Sequence, residues 1–272
     1  MTDYLNYGGI APHPAVDPVG ALDYLRGLGF SGGDLEQARA AVVVHERREF
    51  VFEPHGANYC DFCMTRLMGG EFDRLQDGRE RCVRCSRSVL ATHEEFVEVY
   101  EEVKRNLELG FEVQMAPPLS LRMVNAKEIA RRTGERFAPT PGFDGRVLGF
   151  ARRSTGGYEL SIENGSPKLG AVITLAHELT HIWQYLNWNE ARIDHRYGAR
   201  HRLTVYEGMA TWVQVQYLYF IKEFDRAERE EAYQRQRRDE YGVGFRLFED
   251  RYPLDRSGMG RPDTPFRHAF PL

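Results

Sequence analysis

The chain has 272 residues, 42% of them hydrophobic, enough to bury a sizeable core in one large domain or in a medium domain with small additions. Its formal net charge is only −4, so nothing global favours nucleic acid or an anionic membrane surface as a partner. No stretch approaches the roughly 20 apolar residues of a transmembrane helix. The segment Met1 to Asn6 lacks the basic and apolar runs of a signal peptide, so the expectation is a soluble, cytoplasmic protein.

Residues 1–57 read as an N-terminal helical segment of unclear role. Asp17-Pro18 opens a short helix, because proline suits a first helical turn. Gly27, Gly29, Gly32 and Gly33 interrupt it before a second helix over 34–43. Residues 58–90 form a zinc-ribbon or LIM-like module. All four cysteines of the chain lie there, as Cys60-Asp61-Phe62-Cys63 and Cys82-Val83-Arg84-Cys85. Two CxxC knuckles offer four thiolates at a spacing that suits a closed, tetrahedral structural zinc, and a redox pair is the weaker alternative. Asp77-Gly78 between them predicts a hairpin turn.

Residues 91–272 carry the main core. Thr92-His93-Glu94-Glu95 is a capping box that opens a helix with apolar residues at Phe96, Val97, Tyr100, Val103 and Leu107; Gly110 is expected to end it. Strands are predicted over 119–124, 147–152 and 158–162, the last two joined by a turn at 154–157, with a short helix over 125–132. Gly165-Ser166-Pro167 leads into an apolar helix from Leu169. A second apolar helix runs over about 203–221, and a highly charged helix over 222–240 follows. Mixed charges at helical spacing predict that this last helix is a solvated face.

The first apolar helix contains His177-Glu178-Leu179-Thr180-His181. Residues four apart lie on one face of a helix, so His177 and His181 can reach one zinc while Glu178 holds a carboxylate beside its water. A catalytic zinc needs a third protein ligand and an open position. Glu207 in Tyr206-Glu207-Gly208-Met209-Ala210 is the best third ligand, ahead of Glu190, Asp194, His195 and His201. Small Gly208 and Ala210 are expected to let its helix approach the histidine helix closely. A His-His-Glu set is that of the gluzincin metallopeptidases. Glu178 is then the general base, and Tyr241, in Tyr241-Gly242-Val243-Gly244, is the candidate oxyanion donor, aimed by a tight glycine turn. The strand over 158–162 is expected to offer an edge to an extended peptide.

These pieces in this order resemble the LIM-domain zinc peptidase family that limits organ growth in plants, the "DA-one" family, with its bacterial relatives. The resemblance rests on Leu75 to Arg79 leading into Cys82 to Ser88, on Thr92-His93-Glu94, on Ala176 to Trp183, on Glu207-Gly208, and on Tyr241 to Arg246. It implies an α+β, zincin-like peptidase domain with a small sheet, an active-site helix and a helical C-terminal subdomain, preceded by the LIM-like module. It also implies two zinc ions per chain, one catalytic and one structural, a protein or peptide substrate, and ubiquitin or a ubiquitin-like regulator as a partner. One four-cysteine site stands here where the plant proteins carry a fuller LIM region. The alternatives are a zinc-ribbon adaptor with a vestigial protease site, which the intact Glu178 disfavours, and an aminopeptidase. The latter needs an acidic pocket for a free amine, whereas Arg146, Arg152 and Arg153 make the upstream segment basic.

Overall fold

The computed structural model describes residues 59–63, 65–67, 72–134, 137, 148–258, 263–268 and 272; the expected N-terminal helical segment lies outside them. The described chain is α+β, with two small sheets and several helices. Among the described residues no helix is long and apolar enough to cross a membrane.

The four-cysteine segment is short of large aliphatic residues; Cys60, Phe62, Cys63 and Cys85 cluster at its centre, framed by hydrogen bonds. Strands β1 (Phe72–Arg74) and β2 (Glu80–Cys82) pair antiparallel. The turn between them uses Gly78 at φ 94, a left-handed conformation that glycine adopts without a Cβ clash. Asp61 ties the first knuckle to β2, since its carboxylate accepts from the Glu80 N–H at 2.6 Å and its own N–H donates to the Glu80 carbonyl at 2.9 Å. A one-turn helix, α1 (Val83–Ser86), closes the second knuckle.

Helix α2 (His93–Phe111) begins at the expected capping box: the Glu95 N–H donates to Thr92 Oγ1 at 3.2 Å, and the Thr92 N–H donates to the Glu95 carboxylate at 3.3 Å. It buries Phe96, Val99, Tyr100, Val103, Leu107 and Phe111. The helix runs one residue past Gly110 and stops where Glu112 takes a left-handed φ of 54.

Strands β3 (Leu119–Val124), β4 (Gly149–Ser154) and β5 (Gly157–Glu163) make the larger sheet in the order β3-β5-β4, with α3 (Ala126–Thr133) after β3. The expectation that the strand over 158–162 is an edge is overturned. It is β5, the central strand, hydrogen-bonded to parallel β3 on one side and antiparallel β4 on the other. The sequence concealed this because β3, distant along the chain, supplies the second neighbour.

Helix α4 (Lys168–Asn187) carries the HExxH motif and is buried along most of its length. Short α5 (Glu190–Tyr197) and a 3-10 turn, Ala199–His201, lead to α6 (Arg202–Phe220), which packs beside α4. Helices α7 (Phe224–Gln236) and α8 (Glu240–Arg251) follow. Trp188 meets Tyr206 edge-on at 4.9 Å, so it bridges α4 and α6, while Trp183 packs on Phe266 at 4.8 Å.

Three further expectations change. The charged segment is not one solvated helix: it breaks between α7 and α8, and α7 buries Arg226, Arg229, Glu230, Glu231 and Gln234. These charges are kept partly by pairing, with Arg226 on Glu230 at 2.8 Å and the Tyr219 hydroxyl on Glu231 at 2.6 Å. Gly242 and Gly244 do not form a tight turn but lie within α8. Gly208 does not serve the contact with α4. A Cβ on Gly208 would lie 2.5 Å from Gly244 Cα, so this glycine pair brings α6 against α8.

Candidate functional site

Two groups among the described residues could hold a metal ion: Cys60, Cys63, Cys82 and Cys85, and His177, His181 and Glu207. The expected ligand sets are therefore both assembled, although they come from separate segments of the chain.

In the first group none of the cysteines is in a disulfide, and the Cys63 and Cys82 sulfurs stand 3.6 Å apart. Four sulfurs at about 2.3 Å from a tetrahedral ion lie about 3.8 Å from one another, so the cluster fits one. Backbone N–H groups already point at the sulfurs, from Cys82 to Cys60 Sγ at 3.4 Å and from Cys85 to Cys82 Sγ at 3.5 Å. Burial pushes the Cys60 thiol up. Hydrogen bonds from Cys60, Cys82 and Cys85 hold Cys63 well below the usual thiol range, and the charge of Arg229 adds to this. Four thiolates around a divalent cation carry a net negative charge, which gives the buried Arg229 of α7 an electrostatic reason to be there.

This module is fastened to the start of α4. The Lys168 N–H, an orphan donor of the first helical turn, donates to the Ser88 carbonyl at 2.6 Å. The Leu90 N–H reaches the Ser166 carbonyl at 3.0 Å, and Val89 bridges to Pro167. Arg79 forms a buried ion pair with Glu163 at 3.2 Å.

In the second group His177 Nε2 lies 3.1 Å from Glu207 Oε2, His181 Nε2 lies 3.3 Å from the same oxygen, and the two Nε2 atoms are 3.1 Å apart. Ligand atoms about 2.0–2.1 Å from a tetrahedral ion are about 3.3–3.4 Å apart, so this triangle is close to one face of such a tetrahedron. Its fourth vertex belongs to no side chain of the group. Each imidazole is held from behind by a glutamine: His177 Nδ1 lies 3.1 Å from Gln214 Oε1, and His181 Nδ1 lies 2.8 Å from Gln184 Oε1. The Gln184 amide is itself oriented, because its NH2 donates to the Tyr206 carbonyl at 3.0 Å. A carbonyl oxygen can only accept, so it places the ring proton on Nδ1 and leaves the Nε2 lone pair for a metal.

The electrostatics follow from burial and proximity. Burial opposes a charge on His181, but the adjacent Glu207 carboxylate prevails and pushes it up to about 9. Burial works against the Glu207 carboxylate too, and the two histidines hold it well below its usual range. Burial pushes the Glu178 carboxyl up, against the pull of both imidazoles and of a hydrogen bond from the Ala151 backbone.

Strand β4 runs along α4 above these residues. Its residues 149, 151 and 153 share one face. A Cβ on Gly149 would lie 2.5 Å from Thr174 of α4, the Ala151 backbone reaches Glu178, and Arg153 Nη2 donates to the Tyr185 carbonyl at 3.2 Å. Among the described residues the sheet edge beside the site is therefore β4, not β5.

Tyr241, in the first turn of α8, stacks beside His177 at 6.1 Å between ring centroids, with the Arg237 guanidinium 4.4 Å from its own. The rival ligands do not join the site: Asp194 pairs with Arg202 at 3.2 Å, Glu190 also bonds Arg202, and His201 bonds the Tyr197 carbonyl at 3.1 Å. Tyr185 was not anticipated. It stacks on His181 at 6.2 Å, and burial together with the charges of Glu178 and Glu207 pushes its hydroxyl up to about 12. The signal was present, because 177, 181 and 185 are spaced by four on one helix face. Gln214, two turns beyond Glu207, was legible in the same way.

No protein-family model, no curated protein and no solved structure matches this chain.

Proposed function

We propose that the chain is a zinc-dependent endopeptidase with a second, structural zinc in its four-cysteine module, in keeping with the resemblance to the LIM-domain peptidases. The observation that carries this reading is the near-equilateral triangle of His177, His181 and Glu207 donor atoms, with the buried Glu178 carboxylate next to it. Two imidazoles and one carboxylate with a vertex left over are the donor set of catalytic zinc, whereas four thiolates suit a closed site. Zinc, when bound, supplies Lewis acidity, drawing down the pKa of a water and polarising a carbonyl.

The chain's own groups do the rest. Glu178 takes the proton of the attacking water on its carboxylate and passes it to the leaving amine; burial, by favouring the neutral acid, makes it a better base than an exposed glutamate. Ala151 holds that carboxylate in place. An extended substrate adds to the open edge of β4. Tyr241 and Tyr185 flank the two imidazoles, and a tyrosine hydroxyl near the developing oxyanion stabilises it. Four cysteines outside any disulfide favour a cytoplasmic setting. Regulation by ubiquitin is carried by the sequence resemblance alone.

The test is Glu178→Gln, read by metal analysis and by proteomic cleavage profiling against wild type. We expect two zinc ions per chain in both proteins and proteolysis in wild type only. Equal cleavage by the variant, or fewer than two zinc ions in wild type, would sink the reading. A pure adaptor would lose partner capture on Cys→Ser changes and be indifferent to Glu178→Gln.

A further inference from the structure

Arginines near the larger sheet divide into two kinds. Arg122, Arg132 and Arg152 all converge on the buried Glu159, at 3.3, 3.0 and 3.0 Å, so their charge is spent within the fold. Arg153, next along β4, points to the opposite face. Among the described residues no carboxylate lies within ion-pair distance of it. Its guanidinium sits 5.4 Å from the Tyr185 ring centroid, and one N–H is used by the Tyr185 carbonyl. Arg153 is exposed, and of the five guanidinium N–H donors one is taken among the described residues.

Its surroundings are aromatic and lead to the metal ligands. Tyr158, opposite Arg153 in the β4–β5 register, stacks on Tyr185 at 6.3 Å with the planes 8° apart, and Tyr185 stacks on His181 at 18°. Tyr206, the neighbour of Glu207, lies 6.4 Å from Tyr185. A phenol keeps its proton until about pH 10, so the hydroxyls of Tyr185 and Tyr206 can both donate near neutral pH. A guanidinium with two phenol donors is a receptor for an anion, and the planar guanidinium fork matches a carboxylate.

We infer that Arg153, with Tyr185 and Tyr206, forms a subsite that selects a substrate carboxylate close to the scissile bond. Ala151, which touches Glu178, and Arg153 are two residues apart on one strand, about 6.6 Å, so the selected residue lies within about two positions of the cleaved bond. A side-chain carboxylate and a C-terminal carboxylate present the same chemistry, and the arms of the experiment separate them. This inference rests on the peptidase reading.

The experiment profiles cleavage of peptides that differ only in Asp against Asn and Glu against Gln at each position near the cleaved bond. Each peptide is made both C-terminally amidated and as the free acid, and wild type, Arg153→Gln and Arg153→Glu are compared as zinc-loaded full-length proteins. Each protein's preference is its own ratio of kcat/KM values, so a general loss of rate does not enter. Wild type should favour the acid over its amide by about tenfold or more at one position, as a charge-assisted hydrogen bond supplies. Arg153→Gln should bring the ratio to near one, and Arg153→Glu should turn it below one, in favour of the amide. A preference that persists in amidated peptides identifies a side-chain carboxylate; one confined to free-acid peptides identifies the chain terminus. No acid preference in an active wild type, or the same preference in Arg153→Glu, overturns the inference and leaves the peptidase reading intact. If zinc-loaded wild type cleaves none of the peptides, the peptidase reading fails and this inference with it.

Discussion

Helices α6 and α8 touch through backbone, and Gly244→Ala tests what that contact supports. A Cβ at position 244 would stand 2.2 Å from the Thr204 carbonyl oxygen, 2.5 Å from Gly208 Cα and 2.9 Å from the Gly208 nitrogen. All three are main-chain atoms of α6, which cannot rotate aside as a side chain does. Restoring ordinary contact distances requires the helices to part by about 1 Å, and overpacking of this kind costs about 1–3 kcal/mol. With three backbone atoms of α6 in the way, the upper end of that range, about 3 kcal/mol, is the expected loss. Glu207 precedes Gly208, and Tyr241 lies on the first turn of α8, so the displacement reaches the metal site from one helix or the other. Metal–ligand distances tolerate only about 0.2 Å. Urea unfolding of the chelator-treated protein measures the stability, and competition with a chromophoric chelator measures zinc affinity. A fall in affinity shows that α6 gives way; an unchanged affinity shows that α8 does. Gly156→Ala is the control, since a Cβ there meets nothing within 4 Å and should cost under about 0.5 kcal/mol. Gly244→Ala at no more than the control's cost would refute the account of this interface.

Other consequences are open to measurement. Gln184→Leu and Gln214→Leu remove the acceptors behind His181 and His177, and each should weaken zinc binding at the second site about 10- to 100-fold with the four-cysteine site unaffected; two equal affinities in wild type and variant would remove both from the ligand-orienting role. Arg79→Leu removes the buried cation that faces the fully buried Glu163 and should cost about 3–5 kcal/mol in thermal or urea unfolding, while the double variant with Glu163→Leu should recover much of it; a single variant as stable as wild type would show that the junction does not depend on the pair. In the metal-free protein, His181 has its pKa raised from 6.5 to about 9, so its pairing with Glu207 stabilises fully below about pH 6.5 and is lost as pH rises through 9. Glu207 is shifted down, so its contribution is present above its ordinary range near 4.5 and is lost as pH falls through its depressed folded value. Stability of the stripped protein should therefore decline from pH 6.5 to 9, by about 3 kcal/mol from the His181 shift, and His181→Gln should flatten that slope.

Local chemistry was legible from residue order. The Thr92 capping box, strand β3, the hairpin at Gly78 and the CxxC knuckles each depend on neighbours within a few positions, and all were placed from sequence. The helix carrying His177 and His181 was equally readable, because a spacing of four is a single-helix property. Errors came where a second segment decides. A small residue such as Gly208 suggests close approach to α4, yet it faces Gly244, and which of two neighbouring helices a small residue meets is not written in either helix alone. The mixed charges of α7 suit water, but other parts of the fold bury Arg226 and Glu230 against each other. The strand over 158–162 is central because β3, distant in sequence, pairs with its far side.

By itself, then, the sequence determined the chemical inventory: two histidines and an acid on one helix turn, a glutamate on a later helix, and four thiols in two knuckles. Tertiary structure decided that Glu207 closes the triangle with the histidines, that Gln184 and Gln214 stand behind the imidazoles, and that β4 rather than β5 is an edge strand, with Arg153 over the Tyr185 ring. The physical reason is range. Capping, turns and helix faces are set by bonds across a few residues, whereas a metal site and a sheet edge are set by the packing of segments that approach one another only when the core forms.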